Sequence, residues 1–368
     1  MYNGRKGEIE GGVHMKAMES HLLYFMLVYL AVIGISLLGH GALYIFRRTY
    51  LPRRRRKRDR WSRILHERGI GYQITKWQIR RLRRDIDLAA FSDALLDFQE
   101  EGGDAEGFIR RNEAFLVRLG FLIRREEVRA YYAYVLTKIN AAGKLESEPL
   151  KSLMKEYLSE GHSMYLRENA LKAVYSFRDP IAVAGAWGIL SKRNLYHDSK
   201  LLGNDLVEYS GDMERLLSLL MNHYEELEEN FKVALINTLR LCKNTSYNSQ
   251  LEKVLYQENA STDLKCCIIR LLGLQTVDYT STFVDILTTH MNNLEWEPAA
   301  VAALALKNAR TEAGKPILFK ALTSRYWYVR KNVAMTLASY GLSEEEQQSV
   351  LKGDDPYAAD ALRWALSR

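Results

Sequence analysis

Residues 317–341 read ILFKALTSRYWYVRKNVAMTLASYG. An apolar helical pattern over Ile317–Leu322 is followed by a short polar turn and a second pattern. In the second, Val329, Val333 and Leu337 stand four apart and so share one helical face. That face recurs upstream and downstream. Aligning Leu166, Ser199, Phe231, Leu264, Pro298, Val329 and Ala358 gives intervals of 33, 32, 33, 34, 31 and 29 residues. Eight residues beyond each anchor stand Val174, Val207, Leu239, Leu272, Leu306, Leu337 and Leu366, all aliphatic. Four beyond stand Ala170, Gly203, Leu235, Ile268, Ala302, Val333 and Leu362, none of them polar. Second apolar helices lie between anchors, as at Met213–Met221 and Phe283–Leu287. A period near 32 of this kind predicts stacked helix pairs, because one pair cannot bury its apolar face alone.

With its Val–Arg pair at Val329–Arg330 and Ala and Leu on the second helix, Ile317–Gly341 resembles a HEAT repeat. Leu153–Tyr175 and Asp354–Leu366 resemble it more loosely; Ser199–Val207 lacks the Val, and Pro298–Leu306 lacks both Val and Arg. The resemblance implies an all-α chain whose residues 149–368 form an α-α superhelix, an armadillo-type, HEAT-like solenoid of about seven repeats. It implies a binding surface and is nearly silent on activity.

One residue beyond each anchor, five of the seven positions are basic: Arg167, Lys200, Lys232, Lys265 and Arg330. In HEAT-like repeats the equivalent Arg pairs with acids or carbonyls of the neighbouring turn, a structural ladder. The same stacking would also line the five up as a face for phosphate or acidic peptide, and both readings stand. Trp327 and Tyr328 precede Val329–Arg330; they are candidates for core packing or for an exposed anchor, since Trp, Tyr and Arg dominate binding hot spots.

Upstream, residues 64–148 read as a three-helix connector or cap: Thr75–Phe98, Phe108–Ile123 and Arg125–Asn140 carry apolar residues three or four apart. The tyrosines 131, 132 and 134 read as packing. Further upstream, residues 21–46 read HLLYFMLVYLAVIGISLLGHGALYIF. From Leu22 to Phe46 no Asp, Glu, Lys or Arg occurs, and a helix of that length spans roughly 37 Å, enough to cross a hydrocarbon core. The run is too long, and too poorly flanked, for a cleaved signal peptide. His40 is its only ionisable side chain at depth.

Residues 47–63 follow with ten Lys/Arg and one Asp. The positive-inside rule then places residues 1–20 outside as a short tail and the large C-terminal part in the cytoplasm, single-pass in the cell membrane. Arg53, Arg54, Arg55, Arg56, Lys57 and Arg58 are expected to rest on anionic headgroups of the bilayer.

The charge distribution limits the function. The chain carries +7, of which +9 belongs to residues 47–63; residues 150–368 hold 25 basic against 27 acidic residues. A nucleic-acid surface would need a broad basic face there, so nucleic acid is disfavoured as a partner. Cys242, Cys266 and Cys267 are odd in number and contain no CxxC, so neither a disulfide framework nor a zinc site is indicated. No GxGxxG, Walker A, HExxH or GxSxG occurs, and no catalytic residue or cofactor is assigned. His197–Asp198–Ser199–Lys200 collects catalytic residue types, but sequence neighbours at a helix start do not face one another, and Asp198–Ser199 reads as an N-cap.

The resulting expectation is a membrane-anchored, non-catalytic scaffold whose solenoid docks a protein partner, for instance a membrane-bound synthase or a transporter. Two other classes stay in view. One is a HEAT-like enzyme resembling bilin lyases or DNA glycosylases. The other is an anionic-lipid sensor working through Arg53–Arg58.

Overall fold

The computed structural model describes residues 5–368 except 160, 193, 194, 196, 276 and 310–313, with side chains from Tyr24 onward save that of residue 142. Residues 1–4 of the expected tail lie outside the described residues. Among those described, the chain is all helical, and it divides into two units, residues 1–139 and 140–368.

Unit 1 is built on one long helix, α1 (Arg5–Arg68). From Tyr24 it contains an apolar window of mean hydropathy 2.0 with none of it buried, long and apolar enough to span a membrane. Ile35 and Leu38 are exposed to 70% and 76%, so none of the described residues covers this face. The His40 ring donates to the Ser36 carbonyl one turn back, at 2.8 Å. Pro52 lies inside α1 where the apolar run has given way to the basic one. It removes one intrahelical donor.

Five further helices follow: α2 (Lys76–Leu82), α3 (Asp85–Glu100), α4 (Ala105–Arg111), α5 (Glu113–Leu122) and α6 (Glu126–Ile139). Two of the three helices expected in the connector are therefore broken. Thr75–Phe98 breaks at Arg84, whose backbone is extended and whose successors Asp85 and Asp87 suit the positive start of a new helix. Phe108–Ile123 breaks at Asn112. This side chain, fully buried, accepts from the Ile74 amide at 2.7 Å and donates to the Tyr72 and Phe108 carbonyls at 3.0 Å. It stitches the loop before α2 to the α4–α5 joint. The core of unit 1 gathers Trp61 and Leu65 of α1 with Leu88, Phe91 and Leu95 of α3, Phe108 of α4 and Leu116 of α5. Tyr132 of α6 is buried and donates to the Leu116 carbonyl at 3.0 Å.

Unit 2 is a series of helix pairs. They are α7 (Glu148–Glu156) with α8 (Met164–Ser176), α9 (Pro180–Lys192) with α10 (Ser199–Val207), α11 (Met213–Asn222) with α12 (Glu229–Leu241), α13 (Asn248–Glu252) with α14 (Thr262–Leu272), α15 (Thr280–His290) with α16 (Glu297–Ala305), α17 (Lys315–Ala321) with α18 (Trp327–Tyr340), and α19 (Glu344–Leu351) with α20 (Pro356–Leu366). The seven anchors fall within the first three residues of the seven even-numbered helices. From α10 to α20 each of these helices packs on the next. Their starts are fixed locally: Ser163, Asp198, Ser261 and Asp355 accept from backbone amides of the first turn. Gly341 stops α18 in a left-handed conformation at φ 76°, which only glycine adopts without cost.

Hydrogen bonds cross from pair to pair at the spacing of the repeat. Thr336 Oγ1 donates to the Ala303 carbonyl at 2.7 Å, Asn332 Nδ2 to Ala300 at 2.8 Å, Asn230 Nδ2 to His197 at 2.7 Å and Tyr340 Oη to Leu306 at 2.7 Å. Cys266 and Cys267 are buried in α14, whereas Cys242 is exposed.

Candidate docking surfaces

Three surfaces hold the residues singled out in the sequence. The first is an aromatic ridge over α16, α18 and α20. Trp327 and Tyr328 sit at the N-terminus of α18, where successive side chains point outward before Val329 turns into the core; they are exposed to 54% and 56%. They are not core residues. Tyr328 stacks on Trp296 at 5.5 Å with ring planes 7° apart, and Trp327 meets Tyr328 edge-on at 5.1 Å. Trp296 also stacks on Tyr326 at 5.6 Å. Cations rim the rings: Lys331 lies 5.1 Å from Trp327 and 5.5 Å from Trp364, and Arg330 lies 5.3 Å from the exposed Tyr357. Rings clamped this way lose little conformational freedom when a partner covers them.

The second surface concerns the basic column, whose five members do not behave alike. Arg167 is buried and donates Nη1 to the His162 carbonyl in the turn before its own helix. Arg330 does the same to Ser324 O at 2.5 Å. Lys265 is buried with Nζ 3.9 Å from Glu295. Lys232 lies 3.8 Å from Glu225 and 5.0 Å over the Tyr224 ring. Of the five, Lys200 alone is exposed; its side chain has no such bond among the described residues, and it lines a groove of about 420 Å³ across α10, α12 and α14. Asn204, Asn237, Arg240, Asp263 and Arg270 share that groove.

Sequence reading missed these groove residues. For two of them the alignment carried a signal: Asn237 and Arg270 stand six residues beyond their anchors, as Lys172 and Asp205 do in the two preceding repeats outside the groove. Lys172 and Asp205, from successive repeats, approach to 3.6 Å. Burial raises the Asp205 carboxyl above its ordinary value, with Lys172 opposing that shift.

The third surface is the basic run of α1, which α3 divides. Arg54 makes two hydrogen bonds of 2.7 Å to Asp93, Lys57 reaches Asp87 at 2.5 Å and Arg58 reaches Asp97 at 2.5 Å. These three, with Trp61 and Leu65, follow the helical repeat along one side of α1. Arg53, Arg55 and Arg56 point away and are exposed. Further along, the ring of His66 is held by the Ser62 carbonyl at 2.7 Å and Glu101 at 2.5 Å, which raises its pKa in that order of effect.

The His197–Lys200 stretch is a helix start. Asp198 accepts from the amides of Lys200 at 2.9 Å and Leu201 at 3.1 Å. His197 is buried beside Phe231, and burial, with Arg167 nearby, pushes its pKa down to about 4.

No protein-family model and no curated protein matches the chain. Among solved structures it is similar to the crystal structure of an engineered protein, at 16% identity and a TM-score of 0.36, over 85% of this chain and 93% of that one.

Proposed function

We propose that the chain is a membrane-anchored scaffold: α1 fixes it in a bilayer, and a cytoplasmic HEAT-like solenoid docks another membrane protein. The aromatic ridge carries this reading. Two adjacent large rings, each more than half exposed and held by stacking, with arginine and lysine at their edges, have the composition of a binding hot spot. A ridge of this kind left exposed would cost solubility in a chain with no partner. A partner that is itself in the membrane meets the solenoid at high effective concentration, so a modest contact area suffices.

The test is site-specific photocrosslinking in the native host, with the probe residue placed at Tyr357 beside the ridge and, separately, at Glu258 on the α13–α14 connection. Docking predicts one crosslinked membrane protein from the ridge position only, and its loss when Trp327→Ala and Tyr328→Ala are combined in a chain of unchanged helix content. Equal crosslinking from both positions, or persistence in the double variant, would remove the ridge as the docking surface.

A further inference from the structure

We infer that the bilayer-proximal end of unit 1 holds a recessed phosphate site, formed by Arg80, Arg83, Arg84, Arg124 and Arg125, whose ligand is the headgroup of an anionic phospholipid. The inference rests on α1 crossing a membrane, and not on the docking of a partner.

The five arginines come from two turns far apart in sequence. Arg80 is in α2 and Arg83–Arg84 join α2 to α3, while Arg124–Arg125 join α5 to α6. They surround one recess of about 320 Å³, floored by Leu122, Ile123 and Val128. That is the size of a small-ligand pocket. All five are exposed. Arg125 is bound to Asp85 and approaches Glu127 at 3.6 Å. The side chains of Arg80, Arg83, Arg84 and Arg124 have no ion pair among the described residues. Arg54 and Arg58 of α1, by contrast, are each matched to an aspartate of α3. A cluster left unmatched around a recess repels itself, and an anion would relieve that. The planar guanidinium fork is suited to phosphate oxygens, two at a time.

The position of the recess points to a lipid. Along each edge of the α1–α3 contact the pairs advance together, Arg54 with Asp93 then Arg58 with Asp97, and Lys57 with Asp87 then Trp61 with Phe91. The two helices therefore run in the same direction, and α3 begins towards the apolar part of α1. The offsets along the two edges are 39 and 30 residues, which puts Asp85 level with residues 46–55 of α1. At the helical rise this is within about 14 Å of Phe46, the end of the apolar run. Arg84 adjoins Asp85 and Arg125 binds it, so both turns lie at that level. Phe121, the residue before the recess floor, is 59% exposed there, an apolar ring at headgroup depth. The exposed Arg53, Arg55 and Arg56 of α1 are a diffuse charge on the same side; the recess supplies the shape that a diffuse charge lacks.

The experiment uses the full chain in a neutral detergent. Native mass spectrometry follows retention of dioleoyl phosphatidylglycerol and dioleoyl phosphatidylcholine by the wild type, by R80Q/R83Q/R84Q/R124Q, and by R53Q/R55Q/R56Q as a control that thins the diffuse charge of α1. Each basic residue near an anionic headgroup contributes severalfold to affinity, so the recess variant should hold phosphatidylglycerol roughly tenfold or more weakly. Phosphatidylcholine should be unaffected, and the control should lose far less. Equal loss in the control would overturn the site in favour of general charge. Displacement of phosphatidylglycerol by millimolar inorganic phosphate would overturn the lipid as the ligand. A second measurement needs no variant: a photoactivatable phosphatidylglycerol added to the wild type should label peptides containing residues 80–84 and 121–125. Labelling confined to residues 47–58 would refute the recess.

Discussion

Arg54 Nε and Nη2 each donate to one carboxylate oxygen of Asp93 at 2.7 Å, a two-pronged pair between helices 39 residues apart in sequence. It makes part of what reads as a membrane-surface run into a packing surface. Asp87, Asp93 and Asp97 of α3 and Glu101 just beyond its end stand four to six residues apart and meet Lys57, Arg54, Arg58 and His66. The helix that leaves the apolar segment is thereby fixed to the body of unit 1 rather than hinged beneath it.

Asp93→Asn keeps the shape of this contact and removes its charge. The pair is about one-quarter to one-third exposed, so solvent screens part of it. The expected loss is about 1 kcal/mol. Chemical denaturation of the full chain in detergent, followed by Trp61 fluorescence, should show it, while Arg56→Gln, at an outward position, should leave the midpoint unchanged. A similar loss in both would mean that the charge of the run matters and the pairing does not.

Asn112→Ala should be more damaging than any surface change in unit 1. The substitution strands the Ile74 amide and the Tyr72 carbonyl in a buried site. An unsatisfied buried group costs about 1–3 kcal/mol. The same fluorescence midpoint reports it, and hydrogen exchange should locate the new opening at residues 72–75. Uniform exchange across unit 1 instead would show that Asn112 is not a local latch.

These two positions show where sequence reading succeeds and where it stops. The helical pairs of unit 2 were legible because each anchor repeats a local pattern: Leu166, Phe231, Leu264, Val329 and Ala358 are each the third residue of a helix. The apolar segment was legible because length and the absence of charge suffice. Asn112 was not, since one polar residue inside an apolar-periodic stretch reads as helix surface, and only the tertiary fold shows what its amide meets. The division of Arg53–Arg58 into inward and outward cations was hidden for the same reason; the partners lie 30–39 residues downstream. The exposed ridge at Trp327–Tyr328 was half legible. The residues were visible, but which side of the helix start they face depends on how Trp296 and Trp364 pack beside them.

His197 supplies a pH dependence whose sign can be worked out. In the unfolded chain its ring takes up a proton near 6.5, whereas in the fold burial lowers that to about 4. The neutral ring is the one that fits. The stability it contributes is complete above about pH 6.5 and is lost as pH falls towards 4, a total on the order of 3 kcal/mol. Unfolding midpoints at pH 7 and pH 4.5 should therefore fall further for the wild type than for His197→Gln. Carboxylates that titrate in the same window act on both chains alike and cancel in the comparison. Equal falls would place the proton uptake elsewhere.

Arg167 and Lys200 separate the two readings of the basic column. Arg167 is buried and binds the turn carbonyl of His162, so Arg167→Met should destabilise unit 2 by about 1.5–3 kcal/mol, the range for a hydrogen bond to a charged group. Lys200 is exposed at the edge of the α10–α12–α14 groove, so Lys200→Glu should leave the unfolding midpoint within about 0.5 kcal/mol of the wild type. If the groove also takes an acidic segment of the docked partner, Lys200→Glu should weaken co-purification with that partner while the fold is intact, since a reversed rim charge acts on association more than on folding. A stable Arg167→Met chain would overturn the ladder at this position. An unstable Lys200→Glu chain would make the column structural throughout, leaving the Trp327–Tyr328 ridge to carry the docking by itself.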